Sequence, residues 1–274
     1  KVAVHTGQLA SIWGTLQVSY GASSPELMSD TYSKFLTMVP TSNSKNRAMI
    51  ELMNFFEWTR VGVAYDRDVN LKSFYLPTMN ALRDNLKASN VDILIEEGID
   101  STKNHKTTFI QSLKEKDVRI VIALLANDNL ISLLCEAYEQ NFYGNNIVWF
   151  TYVSSLNFDT KKNYGCNKTE LNIVSEGMFF IDIQFFRTDM NKTRSGLTVR
   201  DFKNRVMDRR PRKYIIKSRY SIAFDTVWLL ALSLNDDLEN AAMMQNTSIK
   251  KNDYFNLANQ LRERMKTKDF EGIS

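Results

Sequence analysis

Apolar positions along this chain follow two rhythms. Over residues 3–13, Ala3, Leu9, Ala10, Ile12 and Trp13 recur at helical spacing, and residues 16–20 form a short strand-like run that Gly21 ends. A second such run, 35–39, stops at Pro40. From there helix and strand patterns alternate, with helices over 46–58, 71–88, 106–114 and 129–141 and strands over 61–65, 91–96, 118–125 and 146–152. Pro77 sits inside the second of these helices and is expected to kink or restart it. The strand at 118–125 reads VRIVIALL, an almost unbroken β-branched and aliphatic run that suits a strand covered by helices on both faces. Such alternation predicts an α/β fold with a parallel sheet. Beyond it come an irregular Asn-rich stretch over 153–171, a strand over 177–184, and helices over 198–209, 220–234 and 254–265. The polar segment 236–253 is expected to be a flexible loop.

Composition narrows the function classes. The 274 residues are 43% hydrophobic and 24% charged, enough to bury a core, and a prior of ~150 residues per domain allows one large domain or two lobes. No apolar run approaches the ~20 residues of a membrane span. The net charge is +4, and basic residues are interspersed with acidic ones, which gives nucleic-acid binding no support. Neither the cysteines, Cys135 and Cys166, nor the histidines, His5 and His105, have the spacing of a metal site. A phosphate-cradling glycine loop, a nucleophile elbow and a paired-histidine helix are all lacking, so no catalytic residue and no cofactor is indicated. The acid pairs Asp66 with Asp68, Glu96 with Glu97 and Asp236 with Asp237 read as solvated. Both histidines read as surface residues, and Arg209, Arg210, Arg212 and Lys213 around Pro211 read as a solvated turn.

In doubly wound sheets ligands bind beyond the carboxyl ends of the strands, which places a candidate pocket at loops 21–25, 39–43, 126–129 and 153–156. Ser23 and Ser24 carry hydroxyls that suit an anionic group or, equally, a cap on the turn ahead of Pro25. Cys135 and Cys166 would be free thiols in a cytosolic protein. The sequons at Asn167, Asn191 and Asn246 are permissive for glycosylation without indicating it. The chain starts at Lys1 without an apolar leader, so a signal peptide would lie outside it.

Seven segments in order resemble the extracellular ligand-binding domain of GABA-B type metabotropic receptors, class C G-protein-coupled receptors with a Venus-flytrap module. They are residues 19–27 (SYGASSPEL), 58–62 (WTRVG), 117–121 (DVRIV), 135–144 (CEAYEQNFYG), 148–150 (VWF), 223–228 (AFDTVW) and 270–273 (FEGI). The resemblance implies a two-lobed, periplasmic-binding-protein-like α/β fold with parallel sheets flanked by helices. It assigns 1–39 and 186–274 to a partial upper lobe and 40–185 to a lower lobe, incomplete at both ends and so exposing sheet edge. It also implies a Cys135–Cys166 disulfide, a position on the extracellular side of the plasma membrane, a second receptor subunit as dimer partner, and a G protein reached through a membrane domain absent here. A soluble solute-binding protein and a natriuretic-peptide type receptor are rivals; the cysteine pair and the CEAY stretch argue against both.

Within that resemblance the ligand contacts depart from the GABA-binding pattern. Ser23 matches the second ligand serine, and the first falls just before Lys1. The histidine position carries Val39, as in the non-binding partner subunit. The tyrosine position falls at Ala126 and the tryptophan position at Ser154, with Tyr152 nearby as an aromatic face. The glutamate that would hold the ligand ammonium falls near Arg219, which would repel it. The implied ligand is therefore a divergent, amino-acid-like molecule, an acidic one among the candidates, or none.

Overall fold

A computed structural model describes residues 2–68, 72–208, 219–243 and 251–274, and divides the chain into two compact units, Thr41–Ile183 and Lys1–Pro40 with Gln184–Ser274. The basic run from Arg209 to Lys213 and the sequon at Asn246 lie outside the described residues, as do the side chains of Asp236 and Asp237.

The unit 41–183 is a parallel α/β sheet. Its strands are β3 (Arg60–Asp66), β4 (Asp92–Ile99), β5 (Ile120–Leu124), β6 (Val148–Thr151) and β7 (Phe179–Phe180), in spatial order β4-β3-β5-β6-β7. Every pairing is parallel, with Val61 opposite Ile120 and Ile120 opposite Val148. The connecting helices are α2 (Ser42–Phe55), α3 (Lys72–Ala88), α4 (Lys103–Glu115) and α5 (Asn127–Glu139), followed by the short α6 (Lys168–Val174). All five residues of β5 are buried, and its alternation divides the core in two. Val121 and Ala123 pack among α4, α5 and α6, whereas Ile120, Ile122 and Leu124 pack among α2 and α3. Burial on both faces is why this strand reads as a continuous apolar run instead of an alternating one.

One turn is repeated four times in this unit. After α2, α3, α4 and α5 the chain takes a left-handed residue, Glu57 (φ 57°), Asn90 (φ 56°), Asp117 (φ 49°) and Asn141 (φ 54°), before entering the next strand or its approach. The amide of the following apolar residue then donates to a carbonyl five positions back: Trp58 to Met53 (2.9 Å), Val91 to Leu86 (3.0 Å), Val118 to Leu113 (2.9 Å) and Phe142 to Ala137 (2.8 Å). This is the Schellman ending, which satisfies an orphan helix carbonyl and folds an apolar residue back on the helix. Gly62 lies in β3 against α4, where a Cβ would collide with Leu113.

The second unit is built differently. Strand β1 (Gln17–Ser19) pairs in parallel with β2 (Phe35–Thr37), with short 3-10 turns at Pro25–Met28 and Asp30–Tyr32 between them, and the unit also holds α1 (Val2–Trp13), α7 (Val199–Asp208), α8 (Arg219–Met243) and α9 (Lys251–Thr267). Among the described residues its core is three small clusters, centred on Leu27, Tyr32 and Phe35; on Val199, Phe202 and Ile273; and on Leu229, Leu261 and Met265. A buried carboxylate binds the segment 270–274. Asp225 on α8 accepts from the Ile273 amide (2.9 Å) and from both the amide and the hydroxyl of Ser274 (2.6 Å each). A Cβ on Gly272 would lie 2.5 Å from Asp225 Oδ2. The AFDTVW and FEGI segments are therefore two halves of one contact.

Several expectations need correction. Helix α8 runs to Met243 and α9 starts at Lys251, so most of the segment expected as a loop over 236–253 is helical. The strand expected over 177–184 pairs only at Phe179–Phe180. The irregular stretch over 153–171 ends in α6, which Asn167 opens with a capping box: its Oδ1 accepts from the amides of Thr169 and Glu170, and Glu170 accepts from the Asn167 amide. Pro77 lies inside α3, which continues across it. Asp66 is not solvated but fully buried. Glu96 pairs with Arg83, and Glu97 lies 3.5 Å from His105, which is half-buried.

Candidate functional site

The candidate contact residues fall into both units. In the five-stranded unit all strands run the same way, so their carboxyl ends form one edge. Asp66, the last residue of β3, sits there with no exposure. Its Oδ2 accepts from the Ala126 amide (3.1 Å) and the Asn129 side-chain amide (3.0 Å), and its Oδ1 accepts from the Asp68 amide (3.1 Å). These charge-assisted bonds hold the turn into α5 against β3. Asn127 and Asn157 bond reciprocally: the Asn127 side chain donates to the Asn157 carbonyl (2.9 Å) and accepts from its amide (2.8 Å). Ala126, half-buried, and Ser154, exposed, thus belong to two loops tied together.

Tyr152 does not stand free as an aromatic face. Its ring packs against the cluster of Met49, Met53 and Phe150, its hydroxyl hydrogen-bonds the Asn46 side chain, and burial raises its pKa. The Lys45 ammonium lies 5.6 Å from the ring centroid, donates to the Tyr152 carbonyl (3.3 Å) and pairs with Asp182 (2.9 Å). Tyr75 is likewise pushed up to about 12, by burial first and then by the Asp66 charge.

In the other unit the loop after β1 is braced from within. The Ser19 hydroxyl accepts from the amides of Gly21 (3.3 Å) and Ala22 (3.0 Å); the Thr37 hydroxyl donates to the Ala22 carbonyl (2.7 Å) and accepts from the Val39 amide (3.3 Å). Ser23, Ser24 and Val39 are so brought onto neighbouring turns. Val39 is buried, Ser23 is half-buried, and Ser24 is buried with a hydroxyl that has no partner among the described residues. Ser24 occupies the cap position of the 3-10 turn Pro25–Met28 but makes no side-chain cap bond, contrary to the capping reading. Arg219, the exposed first residue of α8, lies over this loop: a Cβ on Gly21 would be 3.4 Å from its Nη1. Among the described residues its guanidinium pairs with no carboxylate.

A disulfide joins Cys135 on α5 to Cys166 immediately before α6, with an S–S distance of 2.01 Å and Cα atoms 5.2 Å apart. The free-thiol alternative is thereby excluded. Reasoning from sequence missed Asp66, Asn129, Asn127 with Asn157, and Asn46; the acid at the end of a buried strand was the one signal present. No helix among the described residues is long and apolar enough to cross a membrane.

Each unit is α/β, with parallel strands accompanied by helices. The family described as the receptor family ligand binding region matches residues 1–274, and the chain belongs to it. Its relatives are narrower still. The chain is 28% identical over 238 residues to gamma-aminobutyric acid type B receptor subunit 2 of Homo sapiens, covering 83% of this chain and 24% of that protein. It is 21% identical over 283 residues to subunit 1 of Mus musculus, covering 100% of this chain and 29% of that protein. Subunit 1 of Caenorhabditis elegans is 23% identical over 284 residues, covering 97% and 30%. The chain thus spans less than a third of the length of these receptors, and its resemblance to the GABA-B type ligand-binding domain holds across most of its residues.

Proposed function

We propose that this chain is the extracellular ligand-binding region of a GABA-B-like G-protein-coupled receptor subunit, on the outer side of the plasma membrane. Residues 1–39 with 186–274 supply the upper lobe and 40–185 the lower. Closure of the lobes shifts the population of the arrangement made with a second subunit, and a membrane domain outside this chain passes the change to a G protein. The chain is not an enzyme, and its function needs no cofactor. The family match and the receptor relatives support this reading.

Its ligand contacts are those of a partner-type subunit that does not hold GABA. The observation that carries this is the Arg219 guanidinium lying over the Gly21 loop, on the same unit as Ser23 and Val39. Two unit charges about 4 Å apart interact by about 4 kcal/mol at an effective dielectric of about 20. An ammonium brought to that loop is repelled by roughly the amount a carboxylate would attract it. Val39 offers no hydrogen bond to a ligand carboxylate, and neither do the side chains of Ala126 and Ser154 replace an aromatic clamp. A second reading, a receptor for a small acidic ligand, is favoured by a guanidinium and a Ser24 hydroxyl that have no partner among the described residues.

Titration calorimetry of the whole ectodomain against GABA and glutamate separates the readings. A partner-type subunit gives no heat with either. Glutamate binding that Arg219→Glu weakens at least ~100-fold establishes the acidic-ligand reading. Tight GABA binding, unchanged in Arg219→Glu, overturns both.

A further inference from the structure

We propose that Asn167 is the site of an N-linked glycan on the five-stranded unit. The inference rests on the extracellular reading above and names a modification of the same receptor region. The three residues of its acceptor tripeptide, Asn167, Lys168 and Thr169, are all exposed. The capping box uses only one end of the Asn167 side chain. Oδ1 accepts from the amides of Thr169 (2.8 Å) and Glu170 (3.0 Å), while Nδ2 has no hydrogen-bond partner among the described residues.

That division matters because glycosylation consumes the free end. Nδ2 attacks the anomeric carbon of an oligosaccharide carried on a polyprenyl pyrophosphate, the donor of the secretory pathway. The N–C bond forms, the bond from that carbon to the pyrophosphate oxygen breaks, the lipid pyrophosphate leaves with the electron pair, and one Nδ2 proton passes to base. The product is still an amide. Its Oδ1 keeps both backbone donors, so α6 retains its cap with the sugar attached.

The sequon at Asn191 makes the contrast. Asn191 is exposed, but Thr193 is buried, bonded through its hydroxyl to Ser195 Oγ (2.9 Å) and to the Leu197 carbonyl (3.0 Å). The folded unit holds the hydroxyl that an acceptor tripeptide must present, whereas the Asn167 tripeptide stays accessible.

The test uses the full receptor chain displayed on cultured animal cells. An amide-cleaving glycosidase acting in 18O-water converts a glycosylated asparagine to labelled aspartate, and the peptide spanning residue 167 is read by mass spectrometry with its disulfide partner. The expected result is label at position 167, with Thr169→Ala removing one glycan step in mobility and Thr169→Ser keeping it. Unlabelled Asn167 in surface material with the Cys135–Cys166 bridge intact overturns the glycan site alone. Unlabelled Asn167 with both thiols free overturns the site and the extracellular reading together.

Discussion

The two units reach stability by different routes. In residues 41–183 the same local device recurs: strand, helix, Schellman turn, strand, with apolar layers on both faces of β5 and a covalent bridge across the α5–α6 side. The other unit has a two-stranded sheet, three small clusters and a few long-range polar contacts, among them Asp225 with Ile273 and Ser274. A repeated apolar layer spreads any single loss over many neighbours. A point contact concentrates it. The comparison therefore predicts that single substitutions outside the bridge weigh more heavily in the second unit than in the first.

The largest effect should come from the bridge itself. Removing it with Cys135→Ser and Cys166→Ser, cysteines separated by 31 positions, is expected to cost ~3–4 kcal/mol through the unfolded chain. A denaturant titration read on Trp149, which lies in that unit's core, reports the loss. Next comes Asp225→Ala, which strips the acceptor from a buried amide; about 2–3 kcal/mol is expected. Gly272→Ala, which drives a Cβ into that carboxylate, should cost ~1–3 kcal/mol; for both changes the titration is read on Trp228, which packs against Phe224 in that unit. Equal sensitivity of the two units to such changes would remove the distinction drawn between them.

A smaller, pH-dependent effect belongs to Asp100. The hydroxyl and amide of Thr102, with His105 and Arg67 alongside, hold its carboxyl down to about 2. A carboxylate depressed in the folded state stabilises above its unfolded pKa of ~3.9, and the contribution is lost as pH falls toward about 2. Asp100→Asn should therefore be less stable than the parent by about 1 kcal/mol near neutrality, after allowance for solvent screening, with the gap closing between pH ~4 and ~2. Acid unfolding curves of the two proteins check this. Smallest, and opposite in sign, Glu57→Gly and Asp117→Gly relieve left-handed backbone at two Schellman turns. Each should stabilise by ~0.5–1 kcal/mol, with Asn90→Gly gaining less because asparagine tolerates that conformation. Thermal midpoints measured side by side rank them.

The sequence made the first unit legible because its signals are local. VRIVIALL is a buried strand by composition alone, and the helix periods on either side follow from one amphipathic face each. Segments such as WTRVG and DVRIV stand out for a reason now visible: each spans a Schellman residue or its neighbour, and Gly62 gives way to Leu113. What stayed hidden depends on partners far along the chain. Asp66 looks like half of a solvated acid pair until Ala126 and Asn129, some sixty positions on, are brought to it. The meeting of Gly21 with Arg219 has no local signature at all. The run NDDLEN reads as loop because of its Asn and Asp residues, yet α8 continues through it, carried by the Leu residues before it and the Ala residues after it. Asn167 with Glu170 is a readable capping box at the end of an otherwise irregular stretch.

Helix α5 is fastened twice, at its entry by the Asp66 carboxylate and near its middle by the sulfur link to Cys166. A rod pinned at two points along its length cannot give way at one end alone.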